Sequence, residues 1–263
     1  MSDLILLKSR INYSVIWILA KRELLAFWRS KSRIISSLVQ ALLFLFVFGA
    51  GFSNFSITID GKTIDPRAFT ASGIAAIVIL FTGIFGGMSI FRDKMFGFMK
   101  ELMVAPISRN TLMFGRTLGI ALQTLMQITI MIGLSIAIGY FGYDLNLIWR
   151  FILILPVALL ASIGIVGVGL IISSRLKDMQ SFGLIQTFIV MPMFWLSGAL
   201  IPFPPELQIV TMFNPFTYSV DLFRLVLLGV SYFPIWVDII VVASFSIALI
   251  LLGAHSFNKM EVS

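Results

Sequence analysis

Gln123 and Gln127 stand four residues apart inside an apolar run, so a helix carries both amides on one face. Amides in that setting either hydrogen-bond a neighbouring helix or line a path for something that crosses the bilayer. Gln40 and Gln186 pose the same two readings more weakly. A second polar set is Asn214, Pro215, Tyr218, Asp221 and Arg224, where Asp221 and Arg224 have the three-residue spacing of a local ion pair. A third lies between Arg92 and Arg116 and contains Gly97, Lys100-Glu101-Leu102 and Pro106-Ile107-Ser108-Arg109. Met95, Phe96, Phe98, Met99 and Met103 are interleaved with these charges. A short amphipathic surface helix stopped before Pro106 would suit them, with Ser108 capping the next helix. A plain connector does not need so many Met and Phe, which fit an adaptable docking surface.

Other chemistries are excluded by what is missing. There is no cysteine, hence no disulfide, thiolate metal site or Cys nucleophile. The single histidine, His255, is near the end of the chain and is read as a bystander. Gly61-Lys62-Thr63 has the tail of a phosphate-binding loop, but Ser56 stands where the first Gly is required. No other nucleotide pattern occurs, so ATP, if used, must be handled by another chain. No Asp, Glu or His falls at the centre of an apolar run, which argues against a proton relay and a secondary carrier. No catalytic or metal-ligating set is expected, and a membrane enzyme is disfavoured.

The elements that position these residues follow from composition. Of 263 residues, 59% are hydrophobic and only 12% charged, with mean hydropathy +1.03, too apolar to fold in water without large exposed patches. Charge-free runs of spanning length occur at 34–52, 68–91, 117–141, 151–174 and 182–201. A sixth, 235–254, holds only Asp238 near its start. Continuous apolar runs read as helices, because lipid cannot satisfy an open backbone. The fold expected is an all-α membrane protein with six transmembrane helices. Its permease domain covers 34–254, preceded by residues 1–33 and followed by a tail, 255–263.

Basic residues set the orientation. Of 19 Lys and Arg, 15 fall in segments 1–33, 92–116, 175–181 and 255–263, and 4 in the alternate segments. Both termini are therefore expected in the cytoplasm. The +7 charge gathers at the ends of apolar runs rather than in one patch, which disfavours nucleic acid. Within 13–33, Tyr13, Trp17, Ala20, Leu24, Phe27 and Trp28 share an arc of about 100°, with Arg22, Arg29 and Arg33 nearly opposite. That pattern reads as an amphipathic interfacial helix, either an anchor or a lever touching a cytoplasmic partner. No cleavable leader is expected at the start. Ser56–Ile59, Asp60-Gly61 and Lys62–Ile64 read as a small external hairpin. The Gly83/Gly87, Gly115/Gly119 and Gly164/Gly167/Gly169 sets read as close helix contacts. In 202–234, Pro202, Pro204 and Pro205 break the chain, and short re-entrant helices are expected.

Two of these segments resemble a known family. Gly97, Glu101-Leu102 and Pro106-Ile107-Ser108-Arg109 resemble the cytoplasmic loop of type-2 ATP-binding-cassette (ABC) transporter permeases. Asn214-Pro215, Tyr218, Asp221 and Arg224 resemble that family's late signature, most closely in the drug-export, daunorubicin-resistance-like branch. Polysaccharide-export permeases share the Asn-Pro and look less similar. Lys94 and Phe98 depart from the pattern, standing where many relatives have an acidic pair and a Thr. The resemblance implies a permease that exports an amphipathic, drug-like or lipid-like substrate from the cell membrane as a dimer, most simply a homodimer. It also implies two separate ATPase subunits holding ATP and Mg, with no cofactor on this chain. The Glu101 loop, from Gly97 and Lys100 to Arg109, would couple to those subunits, and Asn214–Arg224 would gate the outer end. The rival of another class is a channel or carrier that works without ATP.

Overall fold

The structure, a computed structural model, describes residues 11–53, 55–59, 61–97, 107–142, 146–176, 178–202 and 208–259. Among them, helix α1 is Tyr13–Arg29 and α2 is Lys31–Gly51. A hairpin follows, β1 Ile57–Ile59 and β2 Lys62–Ile64. Then come α3 Pro66–Met95, α4 Arg109–Ala137, α5 Asn146–Arg175 and α6 Met179–Trp195. The short helices α7 Gln208–Met212 and α8 Pro215–Leu228 precede the last, α9 Ile235–Asn258.

The chain is an all-α membrane protein. Among the described residues, five helices are long and apolar enough to cross a bilayer: α2 over Ile34–Gly51, α3, α4, α5 and α9. Helix α6, where a fifth crossing is expected over 182–201, has 17 residues, about 26 Å at 1.5 Å per residue. Turns complete that apolar run: Ser197 N–H donates to Phe194 O, and Gly198 adopts φ 66°. The amphipathic segment is also shorter than expected, since the helix breaks at Ser30 (φ −87°, ψ 79°) and α2 starts at Lys31.

The starts of α1, α3 and α4 each have a local cause. Asn12 accepts from Ser14 and Val15 N–H, Asp65 from Arg67 N–H, and Ser108 from Thr111 N–H at 3.1 Å. The hairpin register pairs Ile57 with Ile64, which places Ile57, Ile59 and Ile64 on one face over Phe69 and Val230.

The core is built around α3. Ile74, Ile79 and Leu80 of α3 meet Ile154, Ala158 and Ile165 of α5 and Phe216 and Phe223 of α8. With no hydrophobic drive between helices in lipid, close van der Waals fit must hold them, and glycines supply it. A Cβ on Gly87 would lie 2.6 Å from Gly169 Cα, and one on Gly167 would lie 2.8 Å from the Leu249 carbonyl. The glycine sets of α3 and α5 are therefore contact faces, toward each other and toward α9.

Candidate coupling and translocation site

The loop 96–108 leaves α3 and enters α4. Gly97, at φ 78°, ends α3 in the left-handed region, where its missing Cβ removes the strain. Ser108 then starts α4. Lys100, Glu101, Leu102 and Pro106, and with them the expected amphipathic surface helix, lie outside the described residues.

Both stems of this loop are fastened to other helices. Before it, Lys94 Nζ donates to Ser174 O at 3.3 Å and Leu176 O at 3.2 Å, at the C-terminal end of α5. After it, Arg109 donates to Asn258 O at 2.6 Å, at the end of α9. A cation over the terminal carbonyls of a helix satisfies acceptors that have no intrahelical partner.

Between the stems lies a buried charge cluster. Arg116 of α4, 2% exposed, donates to Glu23 of α1 at 2.9 Å and to Asp93 in the last turn of α3. Glycines make room for α1. A Cβ on Gly115 would stand 2.7 Å from Leu19 Cβ, and one on Gly119 would stand 2.6 Å from Glu23 Cβ. The Asn12 N–H donates to Thr111 Oγ1 at 3.1 Å at the start of the same contact. The apolar arc expected on α1 is thereby split. Ala20 and Phe27 are buried with Leu19 and Glu23, whereas Tyr13, Trp17 and Trp28 stay exposed, as an aromatic belt at a membrane interface would be.

Above this cluster a groove of about 500 Å³ opens between α2, α3 and α4. Ser36, Gln40, Thr82, Ser89, Gln123 and Gln127 line it, with Phe81 and Phe85 alongside and Glu23 and Arg92 at the loop end. The two sequence readings of the glutamines divide here. Gln127 is an interhelical partner, accepting from Thr82 Oγ at 2.5 Å. Gln123 lines the groove, and its side-chain amide hydrogen-bonds no other described residue.

At the hairpin end, Asn214 caps α8 by accepting from Phe216 N–H at 3.1 Å, and its amide donates to Met193 O at 2.8 Å. Pro215 is the first residue of α8, where its missing N–H costs nothing. Tyr218 OH donates to Met212 O at 3.0 Å. Asp221 and Arg224 do not form the expected local ion pair. Asp221 instead accepts from Tyr232 N–H and Phe233 N–H, the closest contacts being 2.9 Å. Arg224 reaches the Gly198 carbonyl and Ala199 O at 3.1 Å, with its guanidinium 3.8 Å above the Phe69 ring. The two charges are spent on backbone groups of different segments, so they brace α8 between them. Burial raises the Asp221 carboxyl above its ordinary range against the pull of those N–H groups and Arg224, and burial lowers Arg224 to about 10. Asp238, in the first turn of α9, is buried, and neither carboxyl oxygen has a hydrogen-bond partner among the described residues.

The structure thus joins Ser108 and Arg109 to one end of the bundle and Asn214, Pro215, Tyr218, Asp221 and Arg224 to the other. The charge cluster at Glu23 was not anticipated. Its signal in the sequence was a single acid on an otherwise basic helix, with Arg116 enclosed by Gly115 and Gly119. A helix with one acid among several bases, and a glycine-flanked base elsewhere, are complementary only once the two are known to pack.

Residues 14–228 match the model of the ABC-2 type transporter family. The chain belongs to that family. As an ABC-2 chain it is similar to the ycf38 transport permease of Porphyra purpurea, 27% identical over 207 residues that cover 77% of this chain and 70% of the relative. Nodulation protein J of Rhizobium leguminosarum bv. viciae is 25% identical over 228 residues, 83% of each chain. The doxorubicin-resistance ABC transporter permease protein DrrC of Mycobacterium tuberculosis is 23% identical over 216 residues, 79% of this chain and 75% of its own. The protein is a multi-pass ABC-2 permease subunit.

Proposed function

We propose that this permease exports an amphipathic, drug-like or lipid-like substrate across the cell membrane, with energy from ATP hydrolysed on separate subunits. Two copies of the chain, most simply a homodimer, associate with two ABC ATPase subunits that hold ATP and Mg. The loop end of the bundle faces the cytoplasm, a reading supported by the distribution of Lys and Arg. Helices α7 and α8 dip into the outer leaflet, and the segment Asn214–Arg224 forms the outer gate.

The observation that carries the reading is the fastening of both loop stems. Asp93 and Lys94 precede the loop, Arg109 and Arg116 follow it, and together they tie it to α1, α5 and α9. A partner ATPase docked on Gly97, Lys100, Glu101, Leu102, Pro106, Ser108 and Arg109 moves α1, α5 and α9 together with the loop. The Gln123 groove rises directly from that cluster and serves as the entry to the pathway. The kinship with a permease named for doxorubicin resistance favours a drug-like cargo.

The role of the loop is tested by Glu101→Ala in the assembled complex. Membrane insertion and complex assembly should be retained while substrate-stimulated ATPase activity is lost. Unchanged stimulation would remove Glu101 from the coupling path.

A further inference from the structure

We infer that the groove between α2, α3 and α4 receives an uncharged, hydrogen-bonding part of the cargo, a hydroxyl- or amide-rich group joined to an apolar body. This inference rests on the groove being the entry to the pathway.

Depth is the first argument. Gln40, Gln123, Thr82 and Gln127 lie six to ten residues from the loop ends of the apolar runs 34–52, 117–141 and 68–91. At 1.5 Å per residue that is roughly 9–15 Å into the hydrocarbon. Hydrocarbon offers a primary amide no hydrogen bond, so at that depth it must meet water admitted by the groove or a hydrogen-bonding ligand. Gln40 is exposed and Gln123 half-buried, and neither side-chain amide hydrogen-bonds another described residue. Each amide offers one acceptor and two donors. Gln127 has one acceptor site taken by Thr82 and keeps its own donors.

Charge is the second argument. Among the described residues, the ionisable side chains on the groove wall are Glu23 and Arg92, both at the loop end. Glu23 is already paired with Arg116. At the level of the glutamines the wall is neutral, so a charged head there would leave water with no counter-ion to meet it. A neutral donor and acceptor group meets complementary amides. Phe81 and Phe85, stacked with ring centroids 6.1 Å apart, supply an apolar flank for the rest of the molecule. The volume of about 500 Å³ falls in the usual range of small-molecule pockets.

The chain has no cysteine, so a Gln123→Cys or Gln40→Cys substitution introduces a unique thiol. Each full-length variant is assembled with its ATPase in vesicles whose loop end faces the medium, and its labelling by a hydrophilic maleimide is timed. Three probes with the same twelve-carbon tail are compared below their micellar concentrations: dodecyl maltoside, dodecyl phosphate and dodecyltrimethylammonium. The expected result is labelling at both positions, slowed severalfold by the maltoside and unaffected by the two charged probes. A charged probe that protects as well as the maltoside, or labelling that the maltoside does not slow, overturns the inference about cargo chemistry. An anion held only at Arg92 would leave both thiols reactive and counts with the expected result. Absence of labelling at both positions, in variants that assemble normally, instead overturns the reading of the groove as an entry.

Discussion

Arg116 in α4 and Glu23 in α1 are joined across 2.9 Å, 93 positions apart in the chain, with Asp93 of α3 on the other terminal nitrogen of the same guanidinium. One side chain therefore holds three helices at the point where the loop begins and ends. A planar fork with several donors can bridge two carboxylates in this way, and a lysine ammonium does so less well.

Removing Arg116 should be costly. Arg116→Ala leaves Glu23 and Asp93 facing each other in a largely buried site. The loss should be about 3 kcal/mol, the lower end of the range for breaking a buried pair because Asp93 keeps some solvent. Arg116→Lys should recover part of it. Thermal unfolding in detergent, followed by size-exclusion loss, measures both variants. An Arg116→Ala protein as stable as wild type would show the cluster to be incidental.

The glycine contact gives a prediction with its own control. A Cβ on Gly119 meets Glu23 Cβ at 2.6 Å and Ala20 Cα at 3.1 Å, whereas one on Gly133 of the same helix meets nothing. Gly119→Ala should force α1 away from α4 and cost about 1–3 kcal/mol, the usual range for overpacking. Gly133→Ala should be neutral or stabilising by up to about 1 kcal/mol, from helix propensity. The paired unfolding midpoints decide between helix contact and propensity, and equal shifts would refute the close approach.

Acid should loosen the start of α6. Asp178 caps that helix, and its carboxyl is held below its ordinary value of 3.8, first by the Ser181 N–H and then by the Ser181 hydroxyl. A depressed carboxyl contributes its stabilisation above the unfolded value and loses it as pH falls through the folded one. Protection of the Ser181 amide, corrected for intrinsic exchange, should fall between about pH 5 and pH 2. In Asp178→Asn the protection should stay flat over that range. A wild-type amide equally insensitive to acid would mean that the charge plays no part in the cap.

The fold was largely legible because lipid imposes one rule on every span. Charge-free runs had to become helices, and α3, α4, α5 and α9 contain most of the runs assigned to them. Gly61 and the alternation at Ser56–Ile59 were enough to place the hairpin. Helix ends were less legible. Arg109–Arg116 continues α4 below its apolar run because Ser108, rather than the bilayer edge, starts the helix. The short α6 was hidden because an apolar turn and an apolar helix have the same composition. The partners of Asp221 and Arg224 were also hidden. Spacing within one helix points to each other, while burial brings backbone groups of 198–199 and 232–233 within reach. Long-range pairs such as Glu23 with Arg116 depend on which helices touch, and local pattern does not encode that.

The central claim is that the energy for transport enters from another chain. It is tested most directly by flux of a fluorescent amphipathic drug in proteoliposomes containing this permease with and without its partner ATPase. The account predicts ATP-dependent flux only when both are present, and no ATP hydrolysis by the permease alone. Gradient-driven flux through the permease without any ATPase would contradict it and make the chain a carrier or channel.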